Sequence, residues 1–306
     1  ICKSGDHIVS ARTIYGGTYA FMKNFLPPYQ IETSFVDITD LEKVESAIKP
    51  NTKIIYCETV SNPLLEIADL RKLAEICKKH NLKLIVDNTF SPLSVSPIML
   101  GADVVIHSLT KFINGSSDTV GGVYCASQEF VDDTKNVNNG ACMLLGPTMD
   151  SFRSASILKN LRTLHIRMKK HSENAMFLAE RFENDGLKVK YPGLKSHKNH
   201  ELMKSMMHEE YGFGGLLTVD VGSVEKANEL MELMQTENLG YLAVSLGFYK
   251  TLFSCSGSST SSEIPEDERK EMGLSDGLIR FSIGLDHDIE RTYQKMRECM
   301  VKTGVL

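Results

Sequence analysis

Short apolar runs alternate with a segment of helical period in the first half of the chain, and this alternation limits the folds open to it. Residues 53–57 and 82–87 form apolar runs of strand length, which suit a sheet that is buried on both faces. Between them, residues 69–80 place apolar side chains at helical spacing and positive charges in the last turn, where the helix dipole favours them. Further apolar runs follow at residues 104–106 and 122–125. The pattern predicts an α/β fold with a mostly parallel sheet covered by helices.

The second half of the chain predicts a different arrangement. Residues 151–184 contain neither Pro nor Gly, and we expect one long helix there that links two units. Beyond it, strands are predicted near 187–191, 214–221 and 277–283, and helices near 224–235 and 287–301. This mixed order predicts a smaller α+β domain, so we expect one domain over residues 1–160, ending in the linking helix, and a C-terminal domain over 161–306. The Ser-rich residues 254–262 are predicted to form a polar loop, and a loop of this length can cover an active site.

The composition restricts the partners and the compartment. The formal net charge is −5 and no long block of Lys and Arg occurs, so nucleic acid is not an expected partner. The longest apolar stretches have the length of strands, so no membrane span is expected. The seven cysteines are scattered, which predicts free thiols in a reducing compartment, with the cytoplasm as the expected location. No Cys or His spacing indicates a metal site.

A single Asp ends one of the apolar runs. Asp87 follows residues 82–86, and ligands of parallel sheets bind beyond the carboxyl ends of the strands. Such an Asp commonly forms only a turn or a helix cap. In a dry site, its carboxylate would instead keep a partner such as a pyridine nitrogen protonated.

A lysine flanked by hydroxyl groups follows the next apolar run. Lys111 precedes Phe112, and Ser108 and Thr110 lie just before it. A lysine in this place is ordinarily a solvated charge, whereas burial would lower its pKa and leave an amine able to form a Schiff base. The two hydroxyl groups could donate hydrogen bonds to a phosphate. An Asp after one strand and Ser-x-Thr-Lys after the next is far more specific than either feature alone.

Several motifs together resemble one family. The chain is similar to the cysteine/methionine-metabolism family of pyridoxal-phosphate enzymes, which includes methionine γ-lyase, cystathionine γ-lyase, cystathionine γ-synthase and the O-acylhomoserine sulfhydrylases. The resemblance implies a fold type I, aminotransferase-like cofactor domain and pyridoxal 5'-phosphate as cofactor. The matching segments are YGGT (15–18), ETVSNP (58–63), VDNTF (86–90), HSLTK (107–111), YPGL (191–194), VSLG (244–247) and GLIRFSIG (277–284).

The resemblance implies roles for three residues in catalysis. Lys111 matches the lysine that binds the cofactor covalently and moves protons between substrate carbons. Asp87 matches the partner of the pyridine nitrogen, which makes the ring an electron sink. Tyr15 matches the aromatic residue that stacks on the ring and protonates the leaving sulfur. Without the family context, Tyr15, in a turn beside two glycines, is equally well a packing residue with a solvated hydroxyl.

Further roles follow from the same resemblance. Ser108 and Thr110 match donors to the cofactor phosphate, and Asn62 matches a residue beside the phenolic oxygen of the ring. Arg280 matches the anchor of the substrate carboxylate, which a guanidinium binds with two parallel hydrogen bonds. By its position in a strand alone, Arg280 would be expected on a solvent face. Ser245 matches a hydroxyl near the lysine and the substrate carboxylate.

The choice of substrate depends on Val244. Family members that act on cystathionine tend to have Glu immediately before the Ser-Leu-Gly turn, and a valine cannot pair with a distant ammonium group. Val244 therefore favours a small sulfur amino acid with an apolar tail, and we expect γ-elimination from methionine to 2-oxobutanoate, ammonia and a thiol. Gly17 is a departure, since methionine γ-lyases typically have Cys there. The alternatives are a cystathionine γ-lyase or γ-synthase, an O-acylhomoserine sulfhydrylase, or a truncated, inactive relative with a binding role.

The start of the chain resembles the middle of a domain. Ile1 is followed within a few residues by a Gly-Asp turn and an apolar strand. The resemblance implies a preceding segment with a Gly-Met turn that binds the cofactor phosphate, and with a Tyr and an Arg that reach a neighbouring subunit. It also implies a homotetramer built from two dimers.

Overall fold

The computed structural model describes residues 1–255 and 274–306. A six-stranded sheet with the order β2-β1-β3-β4-β5-β6 forms the first half of the molecule. Neighbouring strands are parallel, except that β6 runs antiparallel to β5. The strands are β1 (His7–Ala11), β2 (Glu32–Val36), β3 (Thr52–Glu58), β4 (Lys83–Asp87), β5 (Val104–Ser108) and β6 (Gly122–Ala126).

Short helices lie between and after these strands. They are α1 (Gly16–Ala20), α2 (Leu41–Ser46), α3 (Leu70–Lys79), α4 (Gln128–Thr134) and α5 (Ala141–Leu145), with π-helical turns at Phe21–Phe25 and Leu109–Ile113 and 3-10 turns at Pro27–Tyr29 and Pro97–Leu100. Helix α3 begins after Asp69, whose carboxylate accepts a hydrogen bond from the backbone N–H of Lys72. Its buried side chains include Leu70, Leu73 and Cys77, which follow the helical spacing of the sequence. The predicted strand-helix alternation is present.

A second, mixed sheet forms the other half, with the order β7-β8-β11-β10-β9. Its strands are β7 (Lys188–Lys190), β8 (Leu216–Asp220), β9 (Tyr241–Leu242), β10 (Leu252–Cys255) and β11 (Leu278–Ser282). The helices of this half are α6 (Ser151–Leu161), α7 (Leu164–Asn184), α8 (His200–Met206), α9 (Val224–Thr236) and α10 (Ile289–Lys302), with a 3-10 turn at Glu209–Tyr211. The predicted α+β arrangement is therefore found here.

Helix α7 contributes to two hydrophobic cores. Leu164 and Met168, near its start, belong to the core of the first sheet. Leu178 and Phe182, farther along, belong to the core of the second sheet. Side chains of one helix thus link the two sheets. The predicted domain boundary at residue 160 lies next to the end of α6, and it stays a prediction.

Two predictions about local structure need correction. The single long helix over residues 151–184 is wrong, because the chain breaks between α6 and α7 at Arg162 and Thr163. The Thr163 hydroxyl donates a 3.0 Å hydrogen bond to the carbonyl of Asn160, and such local bonds compete with helical ones. The predicted loop over 254–262 begins too early, since Ser254 and Cys255 belong to β10. Its remaining residues lie outside the described part of the chain.

Within residues 1–255 and 274–306, no helix combines the length and the apolar character needed to cross a membrane.

Candidate active site

A cavity of about 270 Å³ opens at the carboxyl ends of β3, β4 and β5. Arg280 of β11 and the segment 244–247, which lies between β9 and β10, line the cavity from the side of the second sheet. The cavity brings together eight of the residues singled out from the sequence, namely Tyr15, Asn62, Asp87, Ser108, Thr110, Lys111, Val244 and Arg280. The ninth, Ser245, contacts Lys111 directly. Residues that are far apart in the sequence therefore meet at the sheet edge where parallel sheets bind ligands.

Asp87 is the last residue of β4 and is partly buried. Burial raises the pKa of its carboxyl, while hydrogen bonds from Thr89 and from the Tyr56 hydroxyl act in the opposite direction. The backbone N–H of Thr89 donates to Asp87 Oδ1 at 2.9 Å. A carboxylate held in this way is costly to ionise without a positive partner, so a protonated nitrogen in the cavity would stabilise it.

Lys111 lies in the π-helical turn Leu109–Ile113, where its backbone leaves helical geometry, with φ −92° and ψ −131°. Its Nζ donates a hydrogen bond to Ser245 Oγ at 3.1 Å. Burial lowers the pKa of the amine, and the positive charge of Arg280 lowers it further. Both effects increase the fraction of the uncharged, nucleophilic amine at neutral pH.

Arg280 is 2% exposed, so the expectation of a solvent face, drawn from its position in a strand, is wrong. Its Nη1 donates to Asn62 Oδ1 at 3.0 Å, and its Nη2 donates to the carbonyl of Ser245 at 3.1 Å. Burial lowers the pKa of the guanidinium to about 10, an effect that the Glu58 carboxylate opposes. The side chain also lines the cavity, where its fixed plane can bind a carboxylate.

Tyr15 lies at the mouth of the cavity and is 54% exposed. Its backbone N–H donates to Glu58 Oε1 at 2.8 Å, which ties the start of α1 to the end of β3. A Cβ added at Gly17 would lie 2.7 Å from a carbon of the Tyr15 ring. Any side chain at position 17 would therefore displace the ring from its present place.

The two hydroxyl residues before Lys111 have different surroundings. Thr110 Oγ1 accepts a hydrogen bond from the backbone N–H of Gly121 at 3.1 Å and donates to the carbonyl of the same residue at 3.4 Å. The backbone N–H of Ser108 donates to Thr89 Oγ1 at 2.8 Å. To bind a phosphate, the Thr110 hydroxyl would exchange its long contact with Gly121 for a phosphate oxygen.

Glu58 is a cavity residue to which we assigned no role from the sequence. It is paired with Asp87 across β3 and β4, and its oxygens accept hydrogen bonds from the backbone N–H groups of Tyr15 and Asn62, at 2.8 and 3.0 Å. Burial, together with the nearby charge of Asp87, raises the pKa of Glu58 well above its usual range. The sequence could have indicated this residue, since Glu58 ends an apolar strand just as Asp87 does.

Glu58→Gln is expected to lower kcat/KM by roughly tenfold, because a glutamine offers one acceptor where the carboxylate has two and leaves a backbone N–H unpaired. The segment of Tyr15 or that of Asn62 would shift as a result. Steady-state kinetics of the loaded enzyme measure the effect. Glu75→Gln, on the exposed face of α3, is the matched control. If the two variants have equal kcat/KM, Glu58 does not organise the site.

Comparisons with known proteins agree on one family. A sequence model described as "Cys/Met metabolism PLP-dependent enzyme" matches residues 1–293. A methionine gamma-lyase of Arabidopsis thaliana is 43% identical over 305 residues, which cover 99% of this chain and 69% of that protein. A cystathionine gamma-lyase of Bacillus subtilis is 42% identical over 287 residues, which cover 92% of this chain and 73% of that protein. A Campylobacter jejuni structure that holds N'-pyridoxyl-lysine-5'-monophosphate has a TM-score of 0.90 and 30% identity, covering 98% of this chain and 78% of that one.

Proposed function

Because this chain belongs to the Cys/Met metabolism PLP-dependent enzyme family, we propose that it is a lyase of L-methionine that releases methanethiol, 2-oxobutanoate and ammonia. The broader class is established by the family and its relatives: the protein is a pyridoxal-phosphate-dependent carbon–sulfur lyase with the fold type I architecture. The expected enzyme class, cofactor and fold are confirmed, and the alternative of an inactive binding protein is not supported.

The residues of the cavity fit pyridoxal phosphate. The Lys111 amine has a lowered pKa and can attack an aldehyde, and the partly buried Asp87 carboxylate suits a protonated ring nitrogen. The hydroxyls of Ser108 and Thr110 suit a phosphate. When bound, the cofactor supplies an electron sink for the negative charge that develops on the substrate α-carbon.

The proposed elimination divides the proton transfers between two side chains. The Lys111 amine takes a proton from the α-carbon, passes it on, and takes a second proton from the β-carbon. The bond between the γ-carbon and sulfur breaks, its electron pair leaves with sulfur, and the Tyr15 hydroxyl donates a proton to give methanethiol. After the thiol has left, the two protons taken from carbon are returned to the γ-carbon and the β-carbon. Water supplies the oxygen of 2-oxobutanoate as ammonia leaves. Arg280 holds the substrate carboxylate throughout and so keeps the α-carbon near Lys111.

The observation that supports methionine is the apolar side chain of Val244 at the cavity. It is 61% exposed and lies among other apolar lining residues, including Val60, Val120 and Leu246. The two carboxylates that line the cavity lie at strand ends, where Glu58 is buried and Asp87 is partly buried. A thioether with a methyl end can contact Val244, whereas a substrate with a distal ammonium group would find no partner at that position.

Val244→Glu is expected to shift the ratio of kcat/KM values for cystathionine and methionine by about fivefold in favour of cystathionine, since an exposed ion pair contributes up to about 1 kcal/mol. The two substrates are compared in parallel kinetic assays. Val244→Gln, which has the same length without the charge, is the control. An unchanged ratio in Val244→Glu, or an equal shift in Val244→Gln, would contradict the proposed contact.

A second candidate function is favoured by Gly17. A cysteine at this position, typical of methionine γ-lyases, would displace the present Tyr15 ring. The site is in this respect like that of the cystathionine enzymes, which supports cystathionine γ-lyase, cystathionine γ-synthase or O-acylhomoserine sulfhydrylase activity. Product analysis separates the reactions: elimination gives 2-oxobutanoate and ammonia, whereas replacement joins a new thiol to the four-carbon unit.

We also propose that the enzyme is a cytoplasmic homotetramer, a dimer of dimers. Large apolar side chains on its surface support an assembly, including Leu145, which is 83% exposed, and Phe152, which is 88% exposed. Within the described residues no cysteine forms a disulfide, which is compatible with a reducing compartment.

A further inference from the structure

We propose that Arg167 is a positioning residue for Lys111, because its guanidinium holds the turn of backbone that follows the lysine. This inference rests on the proposed role of Lys111 as the residue that binds the cofactor. Arg167 lies in the first turn of α7, the helix whose side chains enter both cores.

The guanidinium of Arg167 binds two separate stretches of backbone. Its Nη1 donates to the carbonyl of Phe112, and its Nη2 donates to that of Ile113 at 2.8 Å. Nη2 also donates to the carbonyl of Asn160 at 3.1 Å, at the end of α6. The two residues directly after Lys111 are thus joined to the junction of α6 and α7 through one rigid, planar group.

The Arg167 guanidinium donates its hydrogen bonds mainly to backbone carbonyls. Within the described part of the chain, no carboxylate lies at ion-pair distance from it, and burial lowers the pKa of the guanidinium. Its Nε donates to Thr163 Oγ1 at 3.1 Å, which fixes the plane of the group from the preceding turn. Because Arg167 has no carboxylate partner among the described residues, its removal would leave no unpaired negative charge. The main effect would be that the carbonyls lose their hydrogen-bond donor.

The backbone at Lys111 depends on contacts from outside its own turn. The residue departs from helical geometry, and its own carbonyl accepts one helical hydrogen bond, from the backbone N–H of Gly115 at 2.8 Å. On one side, a Cβ at Gly247 would lie 2.4 Å from the backbone nitrogen of Phe112. On the other, a Cβ at Gly115 would lie 2.5 Å from Arg167 Nη1. Neither Gly247 nor Gly115 has room for a side chain. The backbone after Lys111 therefore lies in close contact with Gly247 on one side and with Arg167 on the other.

Arg167→Lys tests the proposal, because an ammonium group cannot reproduce the planar fork. Cofactor-free protein is mixed with pyridoxal phosphate, and the rate of covalent attachment is followed by absorbance. Since misplacement by about 1 Å can cost up to 10²-fold, we expect attachment and kcat to fall by at least roughly tenfold, with KM changed by less than about twofold. The unfolding temperature of the cofactor-free protein should match that of Arg162→Lys, an exposed arginine at the end of α6.

Two results would overturn the proposal. One is attachment as fast in Arg167→Lys as in Arg162→Lys. The other is a loss of attachment that accompanies an equal fall in the stability of the cofactor-free protein, which would make Arg167 a packing residue only. Should Arg167→Lys fail to fold, Arg167→Gln, which keeps a planar donor group, is assessed by the same two criteria. Failure of the Lys111 assignment is distinguishable, because Lys111→Ala would then still attach the cofactor.

Discussion

Lys111→Ala is expected to abolish covalent attachment of pyridoxal phosphate and to lower lyase activity by at least about 10²–10⁴-fold, the range of a lost acid–base group. The variant removes the amine that lines the cavity beside Ser245 and that would move protons between the substrate carbons. Borohydride reduction of the loaded protein, followed by peptide mass analysis, measures the attachment directly. In the unaltered protein, the same experiment should place the cofactor on Lys111.

The pH dependence of attachment gives a second measure of Lys111. Only the deprotonated amine attacks the aldehyde, so the attachment rate should rise with pH through the pKa of this residue. Because burial lowers that pKa from its usual value of 10.5, the rate should reach its plateau at a lower pH than an exposed lysine would give. Lys169→Ala, at an exposed position of α7, is the control. It should keep both the covalent attachment of the cofactor and the pH dependence of the attachment rate. A reducible, covalently held cofactor in Lys111→Ala would show that another lysine has this role.

Asp87→Asn is expected to lower kcat on the order of 10²-fold while leaving the cofactor attached, because a neutral amide no longer favours a protonated ring nitrogen. The amide oxygen can still accept the hydrogen bond that Thr89 donates, so the local turn should persist. Kinetics with L-methionine measure the loss. Absorbance of the attached cofactor across pH then shows whether its protonation has changed.

The stability of Asp87→Asn separates a functional role from a structural one. Burial raises the pKa of Asp87, so its ionised form destabilises the cofactor-free fold above the pKa of the unfolded chain, and this cost is absent at lower pH. The neutral variant should therefore be at least as stable as the unaltered protein at neutral pH, although it is far less active. Asp133→Asn, on the exposed face of α4, should change neither property. Full activity in Asp87→Asn would contradict the assignment.

The first sheet and the position of its site could be predicted from the sequence because both depend on local patterns. Apolar runs marked β3, β4 and β5, and the polar residues at their ends indicated where a ligand would bind. Asp87 and Lys111 were found in this way, before any resemblance was considered. Their roles stay predictions until the variants are measured.

The rest of the site depends on contacts between distant parts of the chain. Arg280 and Asn62 meet across 218 residues, and Lys111 and Ser245 across 134, so no local pattern reports either pair. The resemblance supplied Asn62, Ser245 and the role of Arg280, whereas the pattern alone placed Arg280 wrongly on the surface. It supplied no role for Arg167, whose partners are backbone carbonyls that are invisible in a sequence.

Irregular backbone was the other source of error. The break between α6 and α7 carries neither Pro nor Gly, and a local hydrogen bond from the Thr163 hydroxyl to the carbonyl of Asn160 is found there. The departure of Lys111 from helical geometry likewise follows from its surroundings and not from its residue type.

The most direct test of the central claim is a reaction of the protein, loaded with pyridoxal phosphate, with L-methionine. Absorbance of the attached cofactor is followed while 2-oxobutanoate, ammonia and methanethiol are quantified. We expect a spectral change on adding methionine and the three products in equal amounts. A loaded protein whose spectrum does not respond to methionine, and which forms no 2-oxobutanoate from it but does so from cystathionine, would contradict methionine as the substrate.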